Sequence, residues 1–278
     1  MKRRLLLAAI AFPVVAIVTS QDNPSVASFV ESARKATAKY QDQAAAVADG
    51  YRQIGSDFPS MGEHWIHIGL LFDGKFDPAH PEVLMYAMAS GRPQLLGVAY
   101  ALPLLKDESP PDWPVPKEAW HDHFRTLEDE TELPLHHLHG QAGDTPRIAM
   151  LHAWIWFANP AGMFAADNWA IPYFRVGMQP PEAPEAAAKA LALVSGGAEY
   201  FSHCVTAAVP LNPTEREKVN SEFARSRKVA ETILQPHRSR LTASDLEQLS
   251  ACWHKLWVEI DSSVSLKSRA RLQQLPVR

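Results

Sequence analysis

Val83-Leu84-Met85-Tyr86-Ala87-Met88-Ala89-Ser90-Gly91-Arg92-Pro93-Gln94-Leu95-Leu96-Gly97-Val98-Ala99-Tyr100-Ala101-Leu102 consists of two apolar runs, 83–88 and 94–102, joined by a Ser-Gly-Arg-Pro step. Short apolar runs bounded by Gly, Pro or charged residues read as strands, and the step between them has hairpin chemistry, so the two strands should pair antiparallel. Further runs at residues 64–71 and 148–157 have the same character, and a last strand is predicted over 171–176.

On the N-terminal side the period changes. Phe29, Ala33, Ala36, Tyr40, Ala44, Val47 and Tyr51 recur at steps of three and four, which predicts one amphipathic helix ending near Gly55 before Pro59. On the C-terminal side, an Ala-rich stretch from Pro184 to Ala208 reads as helix interrupted at Gly196-Gly197. A second helix should start at Asn212 as N-cap, with Pro213 in its first turn and Glu215 reaching back to the cap. A last helix carries Leu246, Leu249, Trp253, Leu256, Ile260 and Val264 on one face. The expected fold is therefore α+β: an N-terminal amphipathic helix, a central mainly antiparallel sheet and a C-terminal helical segment. The expected division is 1–20, 21–180 and 181–278, with the last part packed on the second.

Residues 1–20 carry a targeting signature. Lys2, Arg3 and Arg4 precede an apolar stretch of about fourteen residues, and Val18-Thr19-Ser20 offers a cleavage point before Gln21. The stretch falls short of the roughly twenty residues that span a bilayer, so a signal peptide and a secreted, periplasmic product are expected, with an uncleaved anchor as the alternative. No other segment approaches spanning length. The full chain has formal charge −4; without the three leading basic residues, 24 Lys and Arg face 31 Asp and Glu, giving −7. That balance argues against nucleic acid as a partner. Cys204 and Cys252 suffice for one disulfide in an oxidising compartment, and their pairing is left open by the sequence.

Function is concentrated between Met61 and Trp169, which hold nine of twelve histidines and six of eight tryptophans. Imidazole is the commonest metal ligand among side chains and changes charge near neutral pH. Strand alternation would project His152, Trp154 and Trp156 together, a face too polar for a dry core unless the histidine has a partner. The alternative is a core histidine bonded to a backbone carbonyl. The same rule separates His64 from His67 and favours His64, with Glu63 beside it. His121 and His123 form an H-x-H pair expected in the loop after a helical turn at 116–119, although such a pair can also be exposed and bind nothing. His136, His137 and His139 are second choices.

These residues predict a metal site of His64, His121, His123 and His152 holding a divalent or redox-active ion, Zn, Cu or Fe. His121 would be a fourth ligand or proton shuttle, Glu63 a general base, and Trp120, Trp154 and Trp156 an aromatic wall for a small organic substrate. Asn159 and Asn168, at the end of the His-Trp strand, would orient substrate or water, though turn chemistry also explains the Asn159-Pro160-Ala161-Gly162 step. The alternative functions are a metal-free binding protein for a hydrophobic or aromatic ligand, and a structural protein that docks partners through its helices. No H-E-x-x-H, G-x-S-x-G, phosphate-loop or C-x-x-C signature is present.

The phrases Ala48-Asp49-Gly50-Tyr51, Met61-Gly62-Glu63-His64-Trp65, Pro81-Glu82-Val83-Leu84-Met85-Tyr86, Leu96-Gly97-Val98-Ala99-Tyr100 and His152-Ala153-Trp154-Ile155-Trp156 with Asn159-Pro160 and Gly162 resemble a bacterial family of secreted or envelope proteins of unknown function. That resemblance spans most of the chain after residue 20 and implies location, not activity. Leu96 to Tyr100 and Trp120-His121-Asp122-His123 also resemble the oil-body-associated proteins of plants and fungi, over the middle of the chain only. The double-His phrase of that family stands here as Glu63-His64.

Overall fold

The computed structural model describes residues 24–105, 107–123, 147–182, 184–275 and 278, and the side chains of Pro24, Ser25, Asp122 and His123 also fall outside the description. The expected signal segment and His136, His137 and His139 therefore lie outside the described residues. The fold is α+β, and no helix among the described residues is long and apolar enough to cross a membrane.

Six strands form one antiparallel sheet: β1 (Arg52–Phe58), β2 (Gly62–Ile66), β3 (Val83–Ala89), β4 (Arg92–Leu104), β5 (His121–His123) and β6 (Arg147–Ala153), in the order β1-β2-β3-β4-β6-β5. The β3–β4 hairpin closes with Ala89 opposite Arg92. Ser90 at φ 52° and Gly91 at φ 77° supply the two left-handed residues that match a two-residue turn to the strand twist. Leu84, Tyr86, Val98, Tyr100 and Leu151 point to one face, and Val83, Met85, Ala99, Ala101 and Met150 to the other.

The first face is covered by α1 (Pro24–Thr37) and α2 (Gln43–Ala48). Phe29, 1% exposed, meets Phe76, Tyr100, Trp113 and Phe164 there; burying such a ring is worth roughly 2–3 kcal/mol. The single helix expected to run to Gly55 is broken instead. A 3-10 turn at Ala38–Gln41 interrupts it, and Asp42 accepts from Ala44 N to start α2 afresh. Gly55 lies inside β1, a strand with no apolar alternation to reveal it.

Three other expectations are corrected. The run 64–71 divides into β2 and a short helix α3 (Ile68–Leu71), because His67 Nδ1 accepts from Leu70 N at 3.1 Å and caps that turn. Residues 171–176 are not a strand but α4 (Ile171–Arg175), opened by Pro172 in its first turn. His121 and His123 are not in a loop: after the 3-10 turn Lys117–Ala119 they form the edge strand β5, with His121 opposite Met150.

The C-terminal helices are α5 (Glu185–Ala192), α6 (Gly197–Ala208), α7 (Pro213–Leu234), α8 (Ala243–Ser263) and α9 (Leu266–Leu272). Gly196 at φ 92° separates α5 from α6 as expected. Asn212 and Glu215 form the expected reciprocal cap, and Thr242 with Asp245 forms a second one on α8. Leu191, Phe201, Val219, Phe223, Leu249, Trp253, Trp257 and Ile260 pack together as the core of this region. Val264 ends α8 in extended conformation, and α9 follows it. Cys204 and Cys252 are both buried and are not bridged. Ile171, Phe174 and Tyr200 connect the helices to the second face of the sheet.

Candidate functional site

His64 of β2 shares the second face with Ile66, His152 of β6 shares it with Met150, and His121 of β5 lies opposite Met150 on the same side. Between the His64 and His152 strands lie β3 and β4, so three inter-strand steps separate them, about 14 Å in a flat sheet. The two imidazole centroids nevertheless stand 5.6 Å apart, and those of His121 and His152 4.8 Å apart. The sheet is therefore concave on this side. Bulges between Ile54 and Phe58 and between Met85 and Tyr86 add local bend.

Small residues let the rings lean inward. Met85 is opposite both His64 and Gly97, and Ala99 is opposite His152, so β4 offers only Gly97 and Ala99 beneath the rings. A Cβ on Gly97 would stand 3.0 Å from Met85 Cε and 2.6 Å from Ala153 O. The His64 ring also meets Phe58 at 5.3 Å, and His152 meets Trp154 at 5.9 Å. His64 is 3% exposed and His152 0%.

His152 Nδ1 lies 2.7 Å from Ala166 O. A carbonyl only accepts, so Nδ1 is the donor of this bond. His152 is thus a core histidine bonded to a backbone carbonyl, the alternative reading of its sequence, and it lies beside Trp154. Phe58 also meets Tyr200 edge-to-face at 5.7 Å, and Tyr200 feels the Asp167 carboxylate. Burial above all, then Cys204 and Asp167, hold the Tyr200 hydroxyl well above its ordinary value. Asp167 in turn accepts from Ser60 Oγ at 2.5 Å.

Of the expected site residues, the structure brings together His64, His121, His152 and Trp154. Glu63 is on the opposite face: it is paired with Tyr86, and its carboxylate accepts from Trp65 Nε1 at 3.0 Å. Trp120 also packs on that opposite face against Phe76, at 5.5 Å. Trp156 joins them because regular pairing of β6 stops at Ala153; the N–H groups of Trp156 and Phe157 both turn to Leu96 O, and the indole donates to Thr37 Oγ1. Asn159 and Asn168 are engaged by backbone. Asn159 Nδ2 donates to Asp167 O and its oxygen accepts from Ala161 N, while Asn168, fully buried, donates to Ala158 O and accepts from Ala170 N. His67, set aside from the sequence, is satisfied as a cap beside Tyr51. The side chain of His123 lies outside the described residues.

Asp167, Ser60 and Tyr200 were not singled out by the sequence reading. Asp167 had a signal: it is an acid in the short polar interval between the apolar Ala165-Ala166 and Trp169. Tyr200 sits in a helix well over a hundred residues from His64, and nothing local announces it. Among the described residues, no three His, Cys, Asp or Glu side chains already stand as a ligand set for a metal ion. Comparison with family models, with curated proteins and with solved structures found no match to this chain.

Proposed function

We propose that this is a secreted, periplasmic metal-binding protein whose divalent or redox-active ion, Zn, Cu or Fe, is held by His64, His121 and His152, with His123 as the further candidate on β5. Residues 1–20 would serve as its signal peptide. The observation that carries the reading is the spacing of the His64 and His121 rings from that of His152. At Zn–N distances of 2.0–2.1 Å an imidazole centre lies about 3 Å from the ion, so tetrahedral angles set neighbouring centres about 5 Å apart. The values around His152 are 4.8 and 5.6 Å.

Three histidines leave a fourth position for water or a small organic ligand, walled by Trp154 and Phe58. With Glu63 on the far face, the acidic group that belongs to this side is Asp167. The test is a titration of metal-free protein with Zn2+, Cu2+ and Fe2+ alongside His64→Ala, His152→Ala and the triple His64→Ala/His121→Ala/His152→Ala variant. One equivalent of one of these ions should bind wild type, and each single variant should lose at least about 100-fold in affinity. A folded triple variant that takes up the same ion equally well overturns the reading.

A further inference from the structure

α5 packs along α8, and the seam between them holds one arginine by its backbone and its side chain together. The guanidinium of Arg278 donates from both terminal nitrogens to Asp261, Nη1 to Oδ1 at 2.9 Å and Nη2 to Oδ2 at 2.6 Å. It also lies over the Trp257 ring, 5.4 Å from the centroid. The carbonyl of the same residue accepts from Lys189 Nζ at 3.0 Å. Lys189 is itself fixed: its side chain is 8% exposed, it pairs with Glu185 at 2.8 Å, and its ammonium lies over Trp169 and Trp253. Trp253, Trp257 and Asp261 follow one another at steps of four on α8, and Glu185 and Lys189 do so on α5, so each set shares a helix face. An open cleft of about 390 Å3, walled by Lys189, Trp253, His254, Trp257 and Val258, adjoins Arg278.

We infer that this seam is a binding site for an arginine residue of a peptide, and that Arg278 fills it from within the chain and competes there with arginine-bearing peptides from outside. A planar guanidinium is recognised by a carboxylate that takes two parallel N–H groups and by an aromatic face, and Asp261 with Trp257 supplies both. An ammonium is a point charge and cannot use the two carboxylate oxygens in that way. Lys189 adds a main-chain contact, which fits a peptide better than a free guanidine. Trp253 and Trp257 belong to the core of the helical region, so withdrawing Arg278 leaves the recognising groups assembled. Arg278 itself is held less firmly: its side chain is 28% exposed and that of Asp261 19%, so water and salt reach the pair. The chain before it is anchored at Leu275, which is buried and whose carbonyl accepts from Arg278 N at 3.3 Å. Over so short a tether the effective concentration of Arg278 is on the order of millimolar, the level that an outside peptide has to match. The adjoining cleft gives the neighbouring residues of such a peptide room beside Trp253 and Val258. The metal-binding reading plays no part in this site.

The experiment is a peptide titration of the 15N-labelled full chain and of its Arg278→Ala form, followed by 1H–15N spectra of the tryptophan indoles, which detect binding up to millimolar concentrations. The probe is an acetylated, amidated peptide with the sequence of residues 276–278, and two control peptides carry citrulline or lysine in place of its arginine. Citrulline keeps the shape and removes the charge. The Arg278→Ala chain should bind the arginine peptide at least about tenfold more tightly than either control. Asp261→Asn added to Arg278→Ala should weaken that binding by at least about tenfold, with circular dichroism showing the helices intact. The wild-type chain should bind at least about threefold more weakly than Arg278→Ala, because its own arginine competes. Should the alanine form fail to fold, Arg278→Gln, nearer in size, takes its place. No binding to the folded variant, equal binding of a control peptide, or no effect of Asp261→Asn overturns the site. Wild-type binding as tight as that of the variant overturns the competition.

Discussion

Glu82 lies immediately before β3, 1% exposed, and its Oε2 accepts from Ala101 N at 3.0 Å. Its own carbonyl accepts from His67 N, so the residue joins the end of β2 to β4. Burial pushes its carboxyl up to about 8, opposed by the backbone hydrogen bond and reinforced by Asp73 and Asp77. The folded state therefore holds this proton more tightly than the unfolded chain, where the group titrates near 4.5. Between those values the folded protein binds more protons, so stability falls as pH rises. The contribution is fully present below pH 4.5 and gone above about 8. At ~1.4 kcal/mol for each pH unit, the loss from pH 5.5 to 8 is about 3 kcal/mol, or roughly 6–12 °C in Tm for a chain of this size. Glu82→Gln keeps the shape and the acceptor for Ala101 N but cannot ionise. Urea unfolding of both proteins at several pH values and constant ionic strength isolates the effect, because the histidines titrate in both. The wild-type minus variant difference should fall by that amount across the window. Parallel curves would refute the buried, protonated carboxyl.

Gly62 has φ 79°, and a Cβ there would lie 2.1 Å from Tyr86 O. Gly62→Ala should therefore cost on the order of 3 kcal/mol in urea unfolding, and a loss below 1 kcal/mol would contradict the close approach of β2 and β3. Asn212→Ala removes the acceptor for Glu215 N, with an expected loss of about 1 kcal/mol that Asn212→Asp restores; equal stability of all three proteins would mean that this cap does not hold α7. Burial pushes the Cys204 thiol up to about 12, and Cys252 is raised for the same first reason. Iodoacetamide at pH 8 should leave both unmodified in the native, unreduced protein and label two thiols after denaturation, whereas a failure to label after denaturation would point to a bridge.

The helical half was legible because its signals are local. Asn212-Pro213-Thr214-Glu215 specifies a helix start within four residues, and Ser90-Gly91 specifies a turn within two. β1 was not legible: Arg52 to Phe58 neither alternates nor runs apolar, and it is a strand because β2 pairs with it. Ile171 to Val176 has strand composition, yet Pro172 and the packing of Tyr173 decide for a helical turn. Parity along β2 set His64 on the face that His152 shares, while His67 falls beyond the strand as a cap. Parity failed at Trp156 because the ladder ends three residues earlier, where the loop carbonyls compete for the backbone. Strand order and curvature brought His64 to His152, and neither is written in any window of sequence.

The Ser60–Asp167 bond closes a span of 107 residues. Long-range closures of this kind are slow and come after local structure. The hairpin β3–β4 and the helical caps can form early from neighbouring residues, but His64 and His121 reach His152 only when β2, β5 and β6 are all in register. A partly folded chain would present its histidines singly, as weak and unselective ligands. On the proposed metal-binding reading, acquisition of an ion would be a late event in the life of the chain, timed by protection of the Asn168 and Ala101 amides from hydrogen exchange.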